Sequence, residues 1–594
     1  MNRMKRTVTL LAIAVVMGAL WGTVEGFWLL APTLIHVHRL EPTTPGHWIV
    51  LELAIGVIST GLGASMALLA AAPILGWQRA RRRPFRDAAW ALALALAPMV
   101  PVSYVIIAMI IEWQFFSRLP LSAYAPAVPI IALLGITGAI AYRRVVNRAP
   151  RPSLAKLAVI LVLLAALGAL ALPYRVPGPP PLAPEDGGSL LRKPEVVTPV
   201  APLLFVGLDS GNWQTLRPLL ERGALPVFSR LVDEGMTGDI EALWPPYWSA
   251  AAWAAILTGH PREETRVYGD LAVEAPGLPL FDAPLDGKPM LDPFLLVEWV
   301  LLGKGWIRAM PPPRAMLQRP PIWELLSGAG VTSGIVRFDF TFPAAGQSEY
   351  VISNRAGRDS WDWARAEKWM GEGLASPADI ANELLAPFVE EVPGDEASLS
   401  AFLTGPPRKR SRRVAFELEM LRIALDIDRR TTEAAVQILE RSPDLGFLGV
   451  YLGGFDNVCH AFWAYRFPEE YGRKRPPPED IAEFEKVIDR YLEFLDGCLA
   501  RLISAYPVQP NVIIAADHGH VAIEDHPLWL GWHGREGIFI GAGPAFPRRL
   551  EVLQVSYFDI VPTIADVLGF TLPPGMHGAS LLGRPPGPPA TVPR

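Results

Sequence analysis

Five apolar runs fill the first third of this chain, at about residues 7–30, 48–75, 88–111, 124–142 and 157–174. Each is close to the ~20 residues that cross a hydrocarbon core about 30 Å thick. Buried as soluble helices, five in succession would need a very large core. The pattern therefore predicts five transmembrane helices. No clear small-residue cleavage site follows the first run, and four more runs lie behind it, which argues against a removed signal peptide.

Charge in the loops sets the direction. Arg3, Lys5 and Arg6 precede the first run, Arg79, Arg81, Arg82, Arg83 and Arg86 fill the second loop, and Arg143, Arg144, Arg148, Arg151 and Lys156 fill the fourth. The intervening loops hold only Arg39 and Arg118. Basic loops stay inside, so the N-terminus is predicted to be cytoplasmic. An odd number of spans then places everything after Tyr174 outside the cytoplasm. The expected location is the cell membrane, multi-pass, with the lipid bilayer as a partner.

The organisation that follows is a membrane domain at 1–174, a Pro/Gly-rich linker at 175–200, a catalytic domain at 201–583 and a disordered tail at 584–594. The linker segment VPGPPPLAPEDGG suits neither helix nor sheet and reads as a semi-rigid spacer. Beyond it, short apolar runs alternate with helical patterns. LLFVG from Leu203 leads into the amphipathic WQTLRPLLERG, and GIVRF, FLGVYL, NVIIAA and GIFIGAG are further strand candidates. Continuous apolar strands between helices predict an α/β fold, an α/β/α sandwich with a mostly parallel central sheet. Ligands in such folds bind beyond the carboxyl ends of the strands.

Three of these strands run into an aspartate: Asp209, Asp456 and Asp517. One such residue is usually a turn or cap. Three on one rim would repel one another unless cations sat between them. Histidines accompany them. His460 lies four residues after Asp456, one helical turn on, His518 follows Asp517 directly, and His533 precedes another strand. Three Asp and three His are mixed donors that suit a pair of zinc ions, and two metals can clamp both oxygens of a phosphoryl transfer. His260, His520 and His526 compete, and on the residues alone His520 or His526 could stand in for His533. Only two cysteines, Cys459 and Cys498, are present, so a cysteine-rich metal site is excluded. The net charge of −5 carries no nucleic-acid footprint.

Ser249 is the expected nucleophile. Pro245 and Pro246 bar helix before it and strong helix formers follow, so it reads as an N-cap. A hydroxyl there meets the positive end of a helix, which favours an alkoxide and binds a phosphate oxygen.

Taken in order, Asp209, PPYWSAAAWAAILTGHP, FDNVCHAFW, AADHGH, HGREGIFIGAGPAF and SYFDIVPTIADVLG resemble the type I phosphodiesterase/nucleotide pyrophosphatase branch of the alkaline phosphatase superfamily. The resemblance implies an alkaline phosphatase-like fold. It implies one zinc held by Asp456, His460 and His533, and another held by Asp209, Asp517 and His518 with Ser249 as a further ligand. Ser249 would be phosphorylated and then released to water or to an acceptor alcohol. The sulfatase pattern is only half met, because Trp253 stands where its Arg belongs.

Stretches near 262–321 and 357–428 read as cap insertions that cover the site. The expected activity is metal-dependent hydrolysis of a phosphate ester outside the cytoplasm, with lipid-linked esters among the candidate substrates. Two alternatives stand beside it: a lipid-dependent phospho-headgroup transferase, of the phosphoethanolamine type, and a non-catalytic receptor or scaffold on the same fold.

Overall fold

The computed structural model describes residues 201–583, with breaks at 245–246, 284–307, 345–347, 358–372, 390–398, 405–410, 524–529 and 550–551, together with scattered positions before residue 65. Apart from those scattered positions, the five apolar runs, the linker and the tail lie outside the described residues. Among the described residues, no helix is long and apolar enough to cross a membrane.

The chain divides into two compact units, 1–183 with 271–310, and 184–270 with 311–594. In the first, Leu271–Glu274 pairs antiparallel with both Phe281–Ala283 and Arg308–Met310. The second is built on a nine-stranded sheet.

That sheet comprises β1 (Leu203–Leu208), β2 (Met236–Glu241), β3 (Ser333–Val336), β4 (Tyr350–Ile352), β5 (Ala375–Ser376), β6 (Phe447–Leu452), β7 (Asn511–Ala515), β10 (Glu536–Ala542) and β11 (Val552–Val555). A separate hairpin pairs β8 (Gly519–Ala522) with β9 (Gly531–Gly534). The order across the sheet is β11-β2-β10-β7-β1-β6-β3-β4-β5. The central run from β7 to β4 is parallel throughout. The predicted α/β fold with a mostly parallel sheet is present. One expected strand, GIFIGAG, joins as antiparallel β10.

Alternation of side chains along β1 shows how the layers form. Leu204, Val206 and Leu208 enter one core and Leu203 and Phe205 the other. The first core is closed by α1 (Trp213–Glu221), α4 (Arg412–Arg441), α5 (Gly454–Arg466) and α6 (Val487–Ser504). The second is closed by α2 (Ser249–Thr258), α3 (Ile322–Ala329) and α7 (Ile560–Leu568). All of β1 is buried, and each large apolar side chain on it stabilises the fold by roughly 1.5–3 kcal/mol.

Two local features place the functional helices. Gly207 lies where a Cβ would come within 2.8 Å of Trp253 and 2.7 Å of Phe338. Its bare backbone lets Trp253, and α2 with it, press onto the sheet. Helix α2 is rich in alanine, buried along its whole length, and ends at Gly259 in the left-handed region. Helix α5 is buried from Gly454 to Tyr465, the mark of a helix packed on all sides.

Candidate metal centre and nucleophile

The ends of the parallel strands deliver the carboxylates. Asp209 follows β1, Asp456 lies in the first turn of α5 just after β6, and Asp517 lies two residues beyond β7. His460 is one turn along α5 from Asp456. His533 sits on β9, paired across the hairpin with His520 on β8. All six predicted ligands are buried, and they converge.

The contacts fall into two groups. His460 Nε2 lies 3.3 Å from Asp456 Oδ2 and 3.1 Å from His533 Nε2, and His533 Nε2 lies 3.8 Å from Asp456 Oδ1. His518 Nε2 lies 3.4 Å from Asp209 Oδ1 and 3.3 Å from Asp517 Oδ2. Ser249 Oγ approaches the same nitrogen to 3.1 Å. Backbone carbonyls select the tautomers: His460 Nδ1 donates to Gly531 O at 2.7 Å and His518 Nδ1 to Gly519 O at 2.9 Å. In each ring the Nε2 lone pair is thereby turned toward the carboxylates, as in ligated histidines.

The second of these groups fits a divalent cation, and Asp456, His518 and His533 form a close set of donors that bridges the two. Asp209 Oδ1 and Asp517 Oδ2 are buried and have no hydrogen-bond partner. Together with His518 Nε2 they could hold one ion. Burial, then the charges of Asp517 and Asp456, push the Asp209 carboxyl well above the usual carboxylate range. Burial raises Asp517 too, against the pull of His518. Asp456 moves the other way: burial would raise it, but His460, His533 and His520 hold it well below that range. Burial keeps His520 and His533 neutral by lowering both well below the usual imidazole value. Crowded carboxyls that resist ionisation beside neutral imidazoles are what a cation would relieve.

Ser249 is not the N-cap expected of it. It is the first helical residue of α2, and Trp248, in extended conformation, holds the cap position without a side-chain bond. The cap is supplied from elsewhere, since Asp270 Oδ1 accepts the Ala250 N–H at 2.8 Å. This frees the Ser249 hydroxyl from its own helix and lets it face His518. The backbone before it is twisted, with positive φ at Trp244 and Tyr247.

His520, one of the competing histidines, also joins the centre, and Asp456, His460 and His520 form a further group of close donors. His526 lies outside the described residues. His260 lies past the opposite end of α2, where its Nδ1 and His577 Nε2 bond the two oxygens of Glu264 at 2.8 and 2.9 Å, and Arg319 also pairs with Glu264. Four site residues escaped the sequence reading. Ser210 bonds Asp456, the Tyr451 hydroxyl donates to Asp209 Oδ2, Tyr557 donates to the Asp517 carbonyl, and Asp270 caps α2. Only Ser210, beside Asp209, carried a positional hint.

A family model described as type I phosphodiesterase / nucleotide pyrophosphatase matches residues 203–537. Comparison with curated proteins gives no match. Among solved structures, the chain is similar to a mutant of the alkaline phosphatase PafA at 12% identity, covering 64% of this chain and 98% of that one, with a TM-score of 0.37. It is similar to a candidate sulfatase from Bacteroides thetaiotaomicron at 14% identity, over 64% and 74% of the two chains, with a TM-score of 0.36. It is also similar to phosphonoacetate hydrolase from Sinorhizobium meliloti at 16% identity, over 55% and 57%, with a TM-score of 0.27.

Proposed function

This chain belongs to the type I phosphodiesterase / nucleotide pyrophosphatase family, and from that premise we propose that it is a metal-dependent phosphoric ester hydrolase, a phosphodiesterase or phosphatase, working through a phosphoserine at Ser249. The observation that carries the reading is the Ser249 hydroxyl lying 3.1 Å from His518 Nε2, the nitrogen that also faces Asp209 and Asp517.

Two divalent cations, with zinc the expected species, would be held by Asp456, His460 and His533 and by Asp209, Asp517, His518 and Ser249, and when bound they supply the positive charge that acidifies a hydroxyl and neutralises phosphate. The chain's own residues do the rest. Ser249 Oγ forms a bond to phosphorus as the ester oxygen leaves as an alcohol, its proton balanced by the one Ser249 gives up. Water then attacks the phosphoserine, releasing phosphate or its remaining monoester and returning the hydroxyl. Asp270, by holding the Ala250 amide, fixes the first turn from which Ser249 projects. Tyr451 and Tyr557 hold Asp209 and Asp517 in place.

The five apolar runs support anchoring in the cell membrane, with the catalytic domain outside the cytoplasm. The same runs favour a second reading, in which a phospho-headgroup passes from a lipid to an acceptor alcohol rather than to water.

The test uses the purified full chain. Metal content is measured together with turnover of an aryl phosphodiester and of headgroup-labelled phospholipid, for wild type and Ser249→Ala. Zinc with product released only to water supports the hydrolase, and label found on an added alcohol or glycan supports the transferase. A metal-free chain that turns over no ester, or a Ser249→Ala chain as active as wild type, sinks the proposal.

A further inference from the structure

We infer that Ser210 and His520 form a brace that aims Asp456 at its cation, an inference that rests on the two-cation reading above. Ser210 is fully buried and has φ +63°, a left-handed conformation that is strained for a residue with a side chain. The twist brings its Oγ to three partners from other parts of the chain. Asp456 Oδ1 lies at 2.6 Å, His520 Nδ1 at 2.9 Å and His518 Nδ1 at 3.2 Å.

Donor and acceptor roles follow. A ligating carboxylate is deprotonated and can only accept, so the Ser210 hydroxyl donates to Asp456 Oδ1. Its lone pairs are then open to the His520 Nδ1–H. His518 Nδ1–H has the Gly519 carbonyl at 2.9 Å as its nearer acceptor and reaches Ser210 only as a longer second contact. The chain His520, Ser210, Asp456 is thus a directed series of hydrogen bonds. It fixes one carboxylate oxygen and leaves Oδ2 facing His460 Nε2 at 3.3 Å.

The outer end of the brace is held by packing. The His520 ring centre lies 4.7 Å from that of His460 and 5.2 Å from that of Trp463. Gly531 closes the remaining side, where a Cβ would stand 2.6 Å from His520 Cδ2. These contacts pack the ring beside Ser210. Partners that orient a metal ligand in this way typically contribute 10–100-fold to metal affinity.

The experiment is a competition titration of the full chain against a chromophoric zinc chelator, with the visible spectrum of the Co2+-loaded protein as a second readout. Ser210→Gly suits the left-handed backbone, so the fold survives while the hydroxyl is lost. The expected result is one of two ions bound about 10–100-fold more weakly, with altered Co2+ bands. His520→Ala should match that loss. His520→Asn keeps an N–H near the place of Nδ1 and should bind close to wild type.

The brace is overturned if Ser210→Gly binds both ions as tightly as wild type. It is also overturned if His520→Asn loses as much as His520→Ala, which would make His520 a direct ligand. Wild type that takes up no metal overturns the two-cation reading itself, and the brace with it.

Discussion

Ser249 Oγ and His518 Nε2 stand 3.1 Å apart although 269 residues separate them along the chain. The hydroxyl reaches that nitrogen because it is not used to cap its own helix; Asp270 takes that task. Replacing Ser249 by alanine should therefore leave α2 intact, since alanine is the best helix former. Turnover should fall by about a thousandfold or more, with the melting temperature of the metal-free protein little changed. Acid-quenched reactions with labelled substrate should show phosphoprotein in wild type and none in the variant.

Metal removal should be visible in both stability and protons. Asp209 and Asp517 hold their protons above the usual range when no cation is present. Uptake of metal must displace protons from raised carboxyls, so calorimetric titrations in buffers of different ionisation enthalpy should report proton release that grows as the pH is lowered. At a thousandfold excess over Kd, a bound ion stabilises by about 4 kcal/mol, and a chelator should lower the melting temperature accordingly. Melting curves that ignore chelator would count against the site.

Asp428 supplies a pH signature outside the centre. It is buried on α4, where Oδ2 accepts from the Tyr491 hydroxyl at 2.7 Å and Oδ1 from the Gly454 amide at 3.2 Å. Burial raises its carboxyl to about 7, against Tyr491, Gly454 and the charge of Arg337. A folded value above the unfolded one means the native state binds the proton more tightly. Its contribution is fully present below about pH 4 and is lost as pH rises through about 7. Asp428→Asn should flatten the stability profile between about pH 4 and 7, measured as the melting temperature against pH. An unchanged slope would rule this out.

Gly454 tests the same corner sterically. A Cβ there would lie 2.1 Å from the Tyr491 hydroxyl oxygen and 2.7 Å from Asp428 Oδ2. Gly454→Ala should destabilise by about 1–3 kcal/mol. Because Gly454 opens the helix that carries Asp456 and His460, zinc affinity should fall with it. Chemical denaturation and a chelator competition measure the two effects separately.

Much of the catalytic unit was legible because its signals are local. FLGVYL is β6 to the residue, and WQTLRPLLE is α1, since continuous apolar runs and helical periodicity are properties of a short window. Five of the six clustered side chains stood out because each follows a strand or repeats at one helical turn, whereas His533, which lies on β9, was not separable from His520 and His526 by local pattern. What local pattern could not give was partnership across space. β10 reads like its parallel neighbours, yet it runs antiparallel between β7 and β2, because both of its faces are buried in either direction. Strands β2 and β11, at one end of the sheet, alternate buried with less buried residues too briefly to stand out. The cap expected of Ser249 went to Asp270, a residue in a different loop, and His520 entered the centre through its pairing with His533.

The position of β1 has a bearing on how the protein is made. Leu203 pairs with Phe447 on one side and with Asn511 on the other, so the earliest strand of the catalytic unit emerges from the ribosome long before either neighbour exists. Folding dominated by such distant pairings is slow, and an apolar strand left waiting is prone to aggregate. During synthesis this chain should depend on chaperones that shield β1, and fragments ending before β7 should be insoluble rather than merely inactive.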